Sequence, residues 1–170
     1  MTSPTLSGLA AGTYLGLTSA QLKLLRGTKG DRARRQHVEG LIAGKSATLL
    51  GVADAWWFFK WLAGADIAYG KRLHKGQMTR IELLDPANVA AGVAALEKLD
   101  LKKAFFAIDE AKFRYSSVAF WIAEEWKAAG RTTVLDAPIC ENLERAFTRF
   151  QPFVTSTIDD GRSLVFTASF

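Results

Sequence analysis

The spacing of apolar and polar positions changes several times along the chain, and each change marks an element. Thr13 to Leu17 reads as a first strand. Thr18 and Gln21 then form the Ser/Thr-x-x-Glu/Gln pattern, in which side chains satisfy the free amides at a helix start, and the short helix they open breaks over Gly27 to Gly30. A basic helix follows from Asp31 to Ala43, with Val38, Leu41 and Ile42 as its apolar stripe. Ser46 to Val52 is apolar but too short for its period to separate strand from helix lead-in. Asp54 is placed to cap the next helix, which runs to Leu62 and stops at Gly64. Five of the six residues from Trp56 to Trp61 are aromatic, and only Lys60 interrupts them. A helix apolar almost all round belongs inside a fold, and aromatic side chains bury the most area per residue. This segment is therefore expected to be the hub of the core.

Asp66 to Gln77 has no period and reads as loop. Met78 to Leu84 sets Met78, Arg80, Glu82 and Leu84 against Thr79, Ile81 and Leu83, the alternation of a strand. Asp85 ahead of Pro86 opens a helix carrying Val89, Val93, Leu96 and Leu99. Leu101 to Glu110 predicts a further short helix, with Leu101, Phe105 and Ile108 facing one way. Ser116 or Ser117 opens another, which would bury Phe120, Trp121, Ile122 and Trp126 and end at Gly130. After Asp136 comes a helix with Ile139, Leu143, Phe147 and Phe150 as its stripe, expected to be interrupted by Pro152. Phe153 to Ile158 stays open between a hairpin arm and a last helical stretch closed by Gly161. Arg162 to Phe170 ends as a strand with Leu164, Phe166, Ala168 and Phe170 on one side. The whole predicts an α+β fold: one compact domain over residues 13–170, mostly helical, with a small mixed or antiparallel sheet of short strands near both ends. A flexible segment over residues 1–12 would precede it.

Composition limits the classes of function. With 170 residues, 49% apolar and 23% charged, the chain can bury a real core without staples. Its single cysteine, Cys140, excludes an internal disulfide framework and suits a reducing compartment. Met1 to Gly12 lacks the basic start and apolar centre of a signal peptide. The longest apolar region, Ala47 to Ala65, is cut by Asp54 and Lys60, each costing roughly 2.5 to 3.5 kcal/mol inside a membrane. A cytoplasmic protein with no membrane partner is expected. The net charge of +5 is concentrated in Lys23, Arg26, Lys29, Arg32, Arg34, Arg35 and Lys45, and again in Lys71, Arg72, Lys75 and Arg80 around His74. Such clusters favour polyanions or acidic protein surfaces.

Motifs for chemistry fall away on inspection. Gly40 to Ser46 resembles a phosphate-binding loop but has three residues, not four, between its first glycine and Gly44-Lys45-Ser46, and a helix rather than a strand precedes it. His37 and His74 have no partners at metal-ligand spacing, so no metal site is predicted. Cys140 lies in a first helical turn, where the dipole can lower a thiol pKa, but beside a buried stripe that suits a small core residue. Asp109-Glu110 and Glu124-Glu125 are neighbours that diverge by about 100° on a helix and suit solvated faces. No catalytic residue and no cofactor is predicted.

Several short stretches carry a family likeness. They are Asp54-Ala55-Trp56-Trp57 leading into Trp61-Leu62-Ala63-Gly64, then Asp66-Ile67-Ala68-Tyr69-Gly70, then Leu84-Asp85-Pro86 with Val89. An aromatic helix ending at Gly161 before a terminal apolar strand completes the order. In this the chain resembles the YfbM-like family of small bacterial proteins of unknown function. The resemblance implies a helix over Phe153 to Asp160 and carries over no activity. Trp57 stands where the family's first histidine would fall and Lys60 near its second, and Lys71 to Thr79 reads as an insertion.

Three functions compete. The first is a non-enzymatic protein-binding domain, of inhibitor or immunity type, neutralising a partner protein with an acidic surface through Arg32, Arg34, Arg35, Lys71, Arg72, Trp57 and Trp61. The second is a nucleic-acid-associated protein using the basic helix around Arg32 to Arg35. The third is a small-molecule-binding or enzymatic domain with a pocket near Asp54, Asp66 and Tyr69, below the tryptophans.

Overall fold

The computed structural model describes residues 12–53, 55–63, 67–74, 79–115, 127–128, 130, 133 and 135–169. The proposed cap Asp54, the position of Asp66, Lys75 and the inward face Phe120, Trp121, Ile122 and Trp126 lie outside them. Five strands form one antiparallel sheet: β1 (Gly12–Leu17), β2 (Thr48–Ala53), β3 (Lys71–His74), β4 (Thr79–Leu83) and β5 (Ser163–Ser169), in the order β2-β1-β5-β4-β3. The helices are α1 (Ser19–Gly27), α2 (Asp31–Ala43), α3 (Ala55–Ala63), α4 (Pro86–Glu97), α5 (Leu101–Phe106), α6 (Glu110–Tyr115) and α7 (Ala137–Asp159). The fold is α+β, as expected. Gly12, placed by the sequence in a flexible leader, opens β1 opposite Ala168 and Ala53.

Strand alternation sends the two sides of the sheet into two separate cores. Leu15, Leu17, Ile81 and Val165 pack with Leu22 and Leu25 of α1 and Val38 and Leu41 of α2. Tyr14, Leu50, Val52, Leu164 and Phe166 pack on the other side against α3, α4, α5, α6 and α7. Helices therefore cover both faces, which explains why few strand positions read as polar.

The aromatic helix α3 is the hub of the larger core. Trp56, Phe58 and Phe59 are buried, and each reaches a different element. Trp56 meets Phe166 of β5 at 4.9 Å between ring centroids, Phe58 stacks on Phe113 of α6 at 5.0 Å, and Phe59 stacks on Phe150 of α7 at 5.0 Å. Offset and edge contacts at such distances each contribute about 0.5 to 1.5 kcal/mol beyond the area they bury. Tyr14 closes the cluster against Phe150 and Phe166, and its hydroxyl donates to the Ile67 carbonyl at 3.0 Å.

Local signals start and stop most helices. Thr18 and Gln21 make the reciprocal capping pair. Asp85, Asp100, Asp109 and Asp136 accept from amides of the first turns of α4, α5, α6 and α7. The helix expected over Leu101 to Glu110 therefore ends at Phe106, and Asp109 opens a separate one from Glu110. At the end of α7, Gly161 takes φ 63°, a conformation other residues adopt at a cost. This lets Gly161 and Arg162 donate to the carbonyls of Ile158 and Thr157.

Two expectations need correction, and one open choice is settled. The segment Lys71 to His74, read as loop, is the edge strand β3, with a register shift between Arg72 and His74. Pro152 does not interrupt α7, which runs unbroken from Ala137 to Asp159. Proline keeps a helical φ, and here it is exposed, so the Thr148 carbonyl it leaves unpaired faces the solvent side. Phe153 to Ile158, left open between strand and helix, is part of that same helix.

Candidate functional site

The basic residues fall into two groups on opposite faces of the sheet. The first is the α1–α2 layer. Lys23, Arg26, Lys29, Arg32 and Lys45 are exposed there, and Lys71 is exposed on the neighbouring edge strand. None of these six makes an ion pair among the described residues. Arg34 differs: its Nε donates to the Thr28 carbonyl at 2.8 Å and its guanidinium to the Leu73 carbonyl at 2.9 Å. It bolts the start of α2 to β3, so its first role is structural. Arg35 is held by Glu39, one turn along, at 2.7 Å. Leu24, 63% exposed on α1 between Lys23 and Arg26, is the most exposed large apolar side chain among the described residues.

The second group arises because one row of side chains crosses the whole sheet. Leu50, Tyr14, Phe166, Glu82 and Arg72 are successive register partners from β2 to β3, so all five point to the α3–α7 side. The row is apolar through three strands and turns ionic at the last two. Glu82 is only 2% exposed, and burying a carboxylate demands partners. Its Oε1 accepts from Arg72 Nε at 3.3 Å and from Arg80 Nε and NH2 at 3.3 and 3.0 Å. Its Oε2 accepts from the Gly70 amide at 3.2 Å. Tyr69, next in sequence, carries Lys60 Nζ at 3.6 Å and the Arg80 guanidinium carbon at 3.9 Å from its ring centroid. Cations over an aromatic face gain about 0.5 to 2 kcal/mol. The two charges lie no farther apart than the sum of those distances, where like charges repel by about 2 kcal/mol at an effective dielectric near 20. Three cations thus converge on one carboxylate and one ring. Lys60 comes from the hub helix α3, Arg80 and Glu82 from β4, and Arg72 from β3.

The residues singled out in the sequence are distributed as follows. Arg72 and Tyr69 belong to the ionic cluster, and Arg32 and Lys71 to the α1–α2 side. Trp57, expected at a partner surface, is 6% exposed and lies in the core, whereas Trp61 is 39% exposed with its edge against Phe113. The pocket proposed from Asp54, Asp66 and Tyr69 has only Tyr69 within the described residues. Sequence reasoning missed Glu82 and Lys60 as site residues. The available signal was the run Arg80-Ile81-Glu82-Leu83, charged on one side and apolar on the other, in a strand that turns out to be covered on both.

Cys140 is buried. Burial first, and then the Glu144 carboxylate, push its thiol pKa up against a smaller opposing pull from Lys102, so the helix dipole does not activate it. No group of three or more His, Cys, Asp or Glu suited to a metal ion occurs among the described residues. No helix among them is long and apolar enough to cross a membrane.

The fold has a counterpart among solved structures. The crystal structure of a protein of unknown function, YfbM from Escherichia coli, aligns with a TM-score of 0.54 at 12% sequence identity, covering 94% of this chain and 99% of that one. The resemblance read from the sequence is thus matched at the level of fold. No family model and no curated protein matches the chain.

Proposed function

We propose that this chain is a non-enzymatic protein-binding domain, of inhibitor or immunity type, that engages an acidic surface on a partner protein through its α1–α2 layer. The observation that carries this reading is the set of exposed cations Lys23, Arg26, Lys29, Arg32, Lys45 and Lys71, none in an ion pair among the described residues, on the layer and adjoining edge strand where Leu24 is also exposed. An exposed apolar anchor on a layer where cations outnumber the exposed acids Asp31 and Glu39 suits protein recognition: the anchor supplies buried area, and the charges steer encounter and reject wrong partners. Stacking single-stranded nucleic acid needs aromatic platforms, and neither α1 nor α2 contains a Phe, Tyr or Trp.

The test is a pull-down from the native host with wild type and with the triple variant Arg32→Glu, Arg26→Glu, Lys71→Glu, compared by melting temperature to establish that both fold. The reading expects one stoichiometric acidic partner retained by wild type and lost by the variant. Retention by both proteins, or recovery of nucleic acid in place of protein, refutes it.

A further inference from the structure

The ionic cluster at the β3–β4 edge faces away from the α1–α2 layer and has no part in the interface proposed above. We propose that it is a binding site for a doubly charged oxyanion of the phosphoryl type, received by Arg72, Arg80, Lys60 and the Tyr69 hydroxyl.

Charge selects the ligand. Arg72 and Arg80 share a single carboxylate, Glu82, while Lys60 is held against the Tyr69 ring, and none of the three has another acidic partner among the described residues. Among the described residues the cluster therefore holds a surplus of two positive charges, which a dianion cancels and a monocarboxylate does not. Geometry then shows how it would be held. Arg72 gives only Nε to Glu82, which leaves NH1 and NH2 free to donate, while Arg80 gives Nε and NH2 and keeps NH1. Guanidinium groups already held by a buried carboxylate lose little freedom on binding, and their remaining N–H groups match phosphoryl oxygens. The Tyr69 hydroxyl makes no hydrogen bond among the described residues, while its ring pins Lys60 and Arg80.

Access follows the same division. The Arg72 side chain is 49% exposed and that of Arg80 21%, whereas Glu82 is sealed beneath them. An arriving anion meets donors first and is shielded from the carboxylate. A purely structural role for Glu82 would need one cation. Gathering two cations on it and a third on the neighbouring ring sets like charges against one another, and such local conflicts mark functional sites.

The experiment is calorimetric titration of the full chain with inorganic phosphate, sodium sulfate and sodium chloride at matched ionic strength, at about pH 6 and pH 8. Phosphate gains its second charge across that interval and sulfate carries two throughout. At pH 8 both dianions should bind and chloride should not; at pH 6 phosphate should weaken several-fold while sulfate holds. Lys60→Met leaves every contact of Glu82 in place, and it should weaken both dianions by about tenfold or more. Arg72→Gln should do at least as much. Glycerol phosphate binding more tightly than inorganic phosphate would assign the site to a phosphorylated small molecule, and the reverse order to the free ion. Equal response to phosphate, sulfate and chloride, or unchanged binding in Lys60→Met, overturns the proposal. An Arg26→Glu, Arg32→Glu variant, which leaves β3 untouched, should bind phosphate normally, so the two functional readings fail separately.

Discussion

Gly70 lies where the edge strand meets the ionic cluster, and replacing it with alanine tests how β3 is held. A Cβ there would stand 2.1 Å from the Leu83 carbonyl oxygen, 2.9 Å from its carbon and 3.1 Å from the Leu84 Cα. Ordinary contacts need about 3.5 Å or more, so β3 must retreat by more than an ångström. The obstacle is backbone and has no rotamer to change. Retreat strains the Lys71–Leu83 pairing and the hydrogen bond that the Gly70 amide donates to Glu82. Overpacking of this kind costs about 1 to 3 kcal/mol, and each hydrogen bond lost about 1 more. A net loss of about 3 kcal/mol is expected, or roughly 6 to 12 °C in melting temperature for a domain of this size. The assay is urea denaturation beside a melting scan, with Gly51→Ala as the control. Gly51 is on the opposite edge strand, and a Cβ there meets nothing within 4 Å, so that variant should stay within about 0.5 kcal/mol of wild type. A Gly70→Ala protein as stable as the Gly51→Ala protein would refute the close approach of β3 to β4.

Three further outcomes follow from the same structure. Tyr14→Phe removes the hydroxyl that satisfies the Ile67 carbonyl and should cost about 1 to 2 kcal/mol in urea titrations. Burial raises the Tyr14 pKa above its ordinary value, so the folded state keeps this proton longer than the unfolded chain. Stability should therefore fall above about pH 10, by up to 1.4 kcal/mol per pH unit, through a component that Tyr14→Phe lacks; identical alkaline profiles for the two proteins would contradict this. The Cys140 thiol, buried and raised in pKa, should react with a thiol reagent only as fast as the chain opens, with fast labelling in native buffer the contrary result. Pro152→Ala restores a helical amide opposite the Thr148 carbonyl and should stabilise the protein by about 1 kcal/mol, read as a higher urea midpoint.

What was legible beforehand was local. The capping pair Thr18–Gln21, the Asp85–Pro86 start, the ends of α2 and the left-handed Gly161 each depend on neighbours a few residues away, and each stands where the residues put it. The hub role of α3 was readable too, because no surface helix places Trp56, Phe58 and Phe59 in succession. The edge strand was not readable. Lys71-Arg72-Leu73-His74 is short, polar and shifted in register, and it becomes a strand only because β4 and Arg34 hold it. Pro152 misled for a related reason: Val154 and Thr157 continue the buried stripe of Phe150, and that packing carries the helix past the missing bond. The ionic cluster is the clearest case. Lys60 and Glu82 are 22 positions apart, and nothing local says that they share the surroundings of Tyr69.

The last strand has a consequence for how this molecule comes into being. β5 lies in the middle of the sheet, with β1 along one side and β4 along the other, so the pairs β1–β2 and β3–β4 touch no common neighbour without it. A chain still emerging from the ribosome cannot join its two halves until Ser163–Ser169 has been made. Until then both open flanks invite mispairing, and folding waits for contacts between Gly12–Leu17 and Ser163–Ser169, far apart along the chain, which makes it slow.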